Sequence, residues 1–127
     1  MSSAVLDSSA ILAVLNRERG ADAVMAAIDD AIVLTVNYAE VVSRLIELGR
    51  DVHAAKSAIR SLGVGVVAFD EELAGRTGEL RPLTRKRGLS LGDRACIALA
   101  ERDGVPALTA DHRWRDVVPT VEIRIFR

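Results

Sequence analysis

Four acids close apolar stretches of this chain: Asp7 after Ala4-Val-Leu6, Glu40 in Asn37-Tyr-Ala-Glu40, Asp93 in Ser90-Leu-Gly-Asp93 and Asp111 in Leu108-Thr-Ala-Asp111. Carboxylates brought together repel and raise one another's pKa unless a cation neutralises them. Hard oxygen donors without His or Cys select Mg2+ or Mn2+ over zinc. Such a centre polarises a phosphate and generates hydroxide for in-line attack, with two ions if all four acids take part. The chemistry these residues suggest is phosphodiester hydrolysis. The two histidines do not compete: His53 lies in a predicted surface helix, and His112 has no partner at ligand spacing.

Each acid also has a simpler reading. Asp7 suits a helix N-cap, and Glu40 and Asp93 stand three residues after the capping residues Asn37 and Ser90. Asp111 suits a turn begun by Thr109, and Glu40 has Arg44 four residues on as an ordinary helical ion pair. Capping alone does not favour acids, because Ser, Thr and Asn cap about as well. At about 100° per residue, Asp93 shares its helix face with Cys96, Ile97 and Ala100. A carboxylate in that apolar setting needs a partner beyond its own helix.

The elements that must position these acids are short. Val5-Leu6 reads as a strand ended by Asp7, followed by a helix through Ile11, Leu12, Val14 and Leu15; a second helical pattern runs from Ala21 to Asp30. Residues 32–36 form a β-branched strand, and Asn37-Tyr-Ala-Glu40 has the form of a capping box for a helix that stops at Gly49. A helix over 51–62, a strand over 64–69 and a helical stretch over 70–87 with a break near Pro82 follow. Ser90 to Asp103 is a helix, 105–109 the fourth strand, and 121–126 a fifth whose alternation suits a half-exposed edge. Short apolar strands alternating with helices predict an α/β protein with a parallel sheet covered on both faces. Ligands in such sheets bind outside the carboxyl ends of the strands. That edge is where the four acids are expected to meet.

The chain has 127 residues, half of them apolar, which suits a single domain over 1–127. No run approaches the ~20 apolar residues of a membrane span, and the start lacks a basic-then-apolar leader, so a cytoplasmic protein without membrane contact is expected. The lone Cys96 excludes an internal disulfide or cysteine zinc site and reads as a small buried hydrophobe. The formal charge of −1 is unusual for a nucleic-acid binder, but setting the four acids aside leaves a modest positive balance.

Val5-Leu-Asp-Ser-Ser-Ala10, Asn37-Tyr-Ala-Glu-Val-Val42, Gly88-Leu-Ser-Leu-Gly-Asp-Arg-Ala-Cys-Ile-Ala-Leu-Ala100 and Leu108-Thr-Ala-Asp-His-Arg-Trp114 together resemble PIN-domain ribonucleases, specifically the VapC toxins of bacterial VapBC toxin-antitoxin pairs. The resemblance covers essentially the whole chain in order. It implies a PIN-like α/β/α sandwich with a five-stranded parallel sheet. It also implies a Mg2+ or Mn2+ site whose catalytic and metal-binding acids are Asp7, Glu40, Asp93 and Asp111, with Ser8 and Thr109 in support. It further implies RNA cleavage, often of structured RNA such as tRNA, silencing by a cognate VapB-type antitoxin, and a homodimer that assembles into a heterotetramer or larger with that antitoxin.

Arg85 and Arg87, in a basic run with Arg81 and Lys86, and Arg94 and Arg113 beside the acids are candidates for RNA phosphates. A solvated helix end explains the 81–87 run equally well. Trp114 reads as core or interface packing more than as a stacking platform, and Asp116 as a solvated turn more than as a fifth acid. Two other readings remain open: a phosphatase working through an aspartyl-phosphate on Asp7, and a binding module without catalysis. Against the first, no second aspartate stands two residues after Asp7.

Overall fold

The computed structural model describes residues 2–127. Its chain alternates strand and helix: β1 (Val5–Leu6), α1 (Ser8–Leu15), α2 (Ala21–Met25), β2 (Ile32–Leu34), α3 (Thr35–Glu47), α4 (Val52–Arg60), β3 (Gly65–Val67), α5 (Glu71–Glu79), α6 (Arg81–Thr84), α7 (Leu91–Asp103), β4 (Ala107–Thr109) and β5 (Ile123–Ile125). The strands form one sheet in the order β3-β2-β1-β4-β5, and each neighbouring pair is parallel.

Successive strand residues point to opposite faces, and both faces are buried. Val5, Ile32, Leu34 and Ala107 join the helices α5 and α7 and Trp114 in one core. Ala4, Leu6, Val33 and Leu108 join α1, α3 and α4 in the other. The result is an α/β/α sandwich, as expected from the resemblance. Each fully buried Leu, Ile or Val contributes roughly 1.5–3 kcal/mol relative to exposure, so the two cores carry the fold. Trp114 is wholly buried, which agrees with its reading as a core residue. The edge strands are β3 and β5, and the β5 alternation of half-buried and exposed residues fits its place.

This order makes a topological switch between β1 and β4. The chain runs outward from β1 through β2 to β3, then returns to lay β4 on the other side of β1. In open α/β sheets such a switch point, at the strands' carboxyl ends, is where ligands bind.

The boundaries differ from the sequence-based expectation in two instructive places. Strand β2 ends at Leu34, and α3 begins at once with Leu34 as N-cap and no side-chain cap. The expected capping box at Asn37 is therefore absent: Asn37 lies buried inside the first turn. Thr35 favours a strand by propensity, yet here its hydroxyl accepts from the Phe69 amide at 3.0 Å, tying the start of α3 to the segment after β3. The helical break falls at Leu80, and Pro82 sits in the first turn of α6, where its missing N–H is harmless.

Candidate active site

Asp7 stands where β1 ends and α1 begins, and it serves as the N-cap of α1. Its Oδ1 accepts from the Ala10 amide at 2.9 Å and from the Ser9 hydroxyl at 2.6 Å. Its Oδ2 accepts from the Thr109 hydroxyl at 2.5 Å, a bond that crosses the switch point from β4. Thr109 Oγ1 in turn accepts from the Asp111 amide, and Ser9 Oγ from the Ala110 amide, both at 3.0 Å. Asp7 is only 5 % exposed. Burial pushes its pKa up to about 6, against the pull of those hydrogen bonds, and the charge of Asp93 adds to the rise.

Of the two serines after Asp7, the one expected in support was Ser8. Ser9, not Ser8, makes both side-chain contacts of this network. Ser8 makes no side-chain hydrogen bond among the described residues, whereas Ser9, two beyond the N-cap, bonds the Asp7 carboxylate.

Glu40 projects from α3 against the start of α7. Its Oε1 accepts from Asn37 Nδ2 at 2.9 Å, and the same amide group donates to the Gly92 carbonyl at 3.1 Å. A Cβ at position 92 would lie 2.5 Å from Glu40 Oε2 and 2.8 Å from its Cδ. Gly92 therefore makes room for the Glu40 carboxylate. The expected Glu40–Arg44 pair does not form: Arg44 reaches Glu47 instead, at 3.4 Å.

Asp93 occupies the third position of α7 in a complete capping box. Its Oδ2 accepts from the Ser90 amide at 2.8 Å, and its amide donates to Ser90 Oγ at 3.2 Å. The positive end of a 13-residue helix favours a carboxylate there. Ser90→Ala should cost about 1 kcal/mol of stability through the lost cap. Chemical denaturation measures it, and an unchanged midpoint would mean that the Asp93 half of the box suffices.

Beneath these groups, Cys96 is fully buried, and burial together with the charges of Asp7, Asp93 and Glu40 holds its thiol well above the usual range. Asp7 at the cap of α1, Glu40 on α3 and Asp93 on α7 therefore all lie near enough to act on this buried thiol. Glu40 Oε2 and Asp93 Oδ1 carry no hydrogen bond among the described residues, whereas one oxygen of each is already held. Hard, partly unsatisfied carboxylate oxygens around an excess of negative charge fit a divalent cation. Among the described residues, however, no three His, Cys, Asp or Glu side chains are close enough to hold a metal ion as they stand. Holding one requires a carboxylate to turn from its local donor, and Glu40, exposed at its tip, is the freest to do so.

Asp111 is at the same edge but is engaged differently. Its Oδ1 accepts from the Arg113 amide at 2.9 Å and from Arg113 Nε at 3.0 Å, and its Oδ2 from Arg113 Nη2 at 2.6 Å. Arg113 holds the Asp111 carboxyl below the usual carboxylate range.

The basic candidates separate in the same way. Arg94 turns inward, donating through Nη1 to the Thr77 carbonyl at 3.2 Å. Arg87 donates to the carbonyls of Arg113 and Arg115. Arg81, Arg85 and Lys86 remain exposed. Asp116 is exposed in a left-handed turn with φ 55°, as a solvated turn residue would be. A surface groove lined by Glu71, Arg76, Glu79 and Glu101 lies between α5 and the later turns of α7.

Comparison with known proteins gives a consistent picture. The PIN domain family matches residues 4–118. Among solved structures, the chain resembles the DNA-bound VapBC of Salmonella typhimurium with a TM-score of 0.76 at 14 % identity, over 98 % of each chain. It resembles VapBC2 of Rickettsia felis, bound to a promoter DNA fragment, with 0.74 at 12 % identity, over 95 % of this chain and 96 % of that one. VapBC-1 of nontypeable Haemophilus influenzae gives 0.73 at 17 % identity, over 97 % of each. At such identities the likeness is one of fold. No curated protein sequence matches this chain.

Proposed function

Because this chain belongs to the PIN domain family, whose members are nucleases, we propose that it is a VapC-type toxin: a Mg2+- or Mn2+-dependent endoribonuclease in a single PIN domain. The observation that carries this reading is the grouping of Asp7, Glu40 and Asp93 around the switch point, with free oxygens on Glu40 and Asp93. These three acids would hold the ion, and Asp111 stands at the rim paired with Arg113. A bound divalent ion supplies electrophilic polarisation of a phosphate and acidifies an attacking water.

The chain's own residues do the rest. Thr109 and Ser9 fix the orientation of Asp7 from two sides, so that its carboxylate is pre-set. Asn37 sets Glu40 against α7. Exposed Arg81, Arg85 and Lys86 lie in the segment leading to α7 and suit an RNA backbone.

A VapB-type antitoxin is the expected partner. Similar folds come from VapBC complexes, and Leu91, beside Gly92, leaves 54 % of its surface exposed for a covering segment. A homodimer, joined with antitoxin into a heterotetramer or larger, and a cytoplasmic setting complete the proposal. Among the described residues no helix is long and apolar enough to cross a membrane.

Incubating the purified chain with total tRNA and Mg2+ or Mn2+ should yield discrete fragments that disappear with a chelator. Asp93→Ala should abolish both cleavage and growth inhibition on expression. Absence of cleavage of any RNA, with growth inhibition intact in Asp93→Ala, sinks the proposal. Calorimetry with Mn2+ separates it from a binding module, which would take up no metal.

A further inference from the structure

The Asp111 carboxylate, unlike the other acids, is held on both oxygens by one arginine. Its two oxygens accept from the Arg113 amide, from Nε twice, at 3.0 and 3.1 Å, and from Nη2. The single Nε proton is shared between the two oxygens, so Arg113 brings three N–H groups to a carboxylate that offers about four acceptor directions. The guanidinium is equally committed: its Nη1 donates to the carbonyls of Arg87 and Gly88 at 3.3 and 3.2 Å. Arg87 answers by donating to the carbonyls of Arg113 and Arg115. Two arginines therefore cross between the turn that leads into α7 and the turn that follows β4, each gripping the other's backbone.

That clasp spans the residues on either side of the site. On one side, Gly88 is two residues before Ser90, whose amide holds Asp93. On the other, the Asp111 amide is bonded to Thr109, whose hydroxyl holds Asp7. Gly88 itself takes a left-handed φ of 67°, a conformation that suits glycine at the exit of a turn. The clasp thus links the two supports of Asp7 and Asp93.

Resting on the nuclease reading, we infer that Asp111 and Arg113 form a positioning pair, which acts through the supports of Asp7 and Asp93 and touches neither metal ion nor RNA. Asp111 holds Arg113, and Arg113 holds the approach to α7 in register with the end of β4. The planar fork of arginine is required, because Nε and Nη2 face the carboxylate while Nη1 faces the carbonyls, a spread that the single nitrogen of lysine does not reproduce.

Calorimetric titration of Mn2+ into the 127-residue chain, paired with total-tRNA cleavage over a Mn2+ series, tests the assignment. Asp93→Asn should weaken Mn2+ binding by about tenfold or more, whereas Asp111→Asn and Arg113→Ala should leave it within about threefold. Both should lower the rate at saturating RNA by about tenfold without moving the half-saturating Mn2+ concentration. The double variant should lose no more than either single one, since the pair acts as a unit. Arg113→Lys, the mildest change, should behave like Arg113→Ala.

Two results overturn the inference. One is a loss of Mn2+ affinity in Asp111→Asn as large as in Asp93→Asn. The other is tighter Mn2+ binding in Arg113→Ala, which would mean that Asp111 had been released onto the ion. If the unaltered chain takes up no Mn2+, the nuclease reading falls instead. The clasp is then judged on melting temperatures of the metal-free variants, where additive losses from Asp111→Asn and Arg113→Ala overturn it.

Discussion

Asp7→Asn should yield a protein that is harder to unfold and unable to cleave RNA. Asp7 is buried, and its pKa stands at about 6 against an ordinary value of 3.8. Between those values the folded chain holds the Asp7 proton more tightly than the unfolded chain does. The contribution is therefore fully present below pH 3.8 and is lost as pH rises through about 6. At 1.36 kcal/mol per unit the loss amounts to about 3 kcal/mol. Asparagine carries no charge to bury and still caps α1 well. Its amide nitrogen cannot accept from the Thr109 hydroxyl as Oδ2 does, so the net gain at pH 7 is about 1–3 kcal/mol.

The check is urea denaturation of both proteins at pH 4 and pH 7 without divalent ions. The advantage of Asp7→Asn should appear at pH 7 and shrink at pH 4; an advantage independent of pH would remove the buried charge as its cause. Mn2+ should raise the stability of the unaltered chain in proportion to the logarithm of its concentration and leave Asp7→Asn unmoved. Cleavage should fall by about a thousandfold or more, the scale of losing a preorganised electrostatic group. Activity above a tenth of the original in Asp7→Asn would exclude Asp7 from the chemistry.

Gly92→Ala separates site from fold in the same spirit. A Cβ there collides with the Glu40 carboxylate, at 2.5 Å from Oε2 and 2.9 Å from Oε1. The colliding atoms are the tip of a flexible, exposed side chain, so the fold absorbs the methyl by swinging Glu40 away. Replacing glycine by alanine inside α7 favours the helix by about 1 kcal/mol. Stability should therefore hold or rise, while cleavage falls by about a hundredfold as Glu40 leaves Asn37 and the edge. Mn2+ affinity and cleavage should decline together, and restoring space with Gly92→Ala/Glu40→Asp should recover part of both. A variant that is strongly destabilised would show that Glu40 is wedged in place and that the loss is one of folding.

Much of this architecture is local and therefore legible. Strands of two or three residues, such as Val5–Leu6 and Ala107–Thr109, are apolar on both faces because helices cover both. Val5 goes to one core and Leu6 to the other, as a period of two demands. The capping box of Ser90 and Asp93 needs only residues three apart, and it forms as its spacing predicts. The start of α3 was less legible. Thr35 and Val36 favour extended structure by propensity, but a long-range bond from the Phe69 amide and packing against α7 decide for helix.

The chain's order of apolar runs, caps and acids determines a parallel α/β sandwich and delivers Asp7, Glu40, Asp93 and Asp111 to one edge, because each follows a strand or opens a helix. Which atoms those acids then face is decided in three dimensions. Thr109 reaches Asp7 across 102 positions, Asn37 reaches Gly92 across 55, and Arg113 meets the turn at Arg87 across 26. No periodicity encodes such contacts, since they depend on β4 returning beside β1 and on α7 lying against α3. Ser9 bonds Asp7, and Arg113 bonds Asp111, for the same reason: hydrogen-bond partners are chosen by distance and direction, which only the packed chain defines.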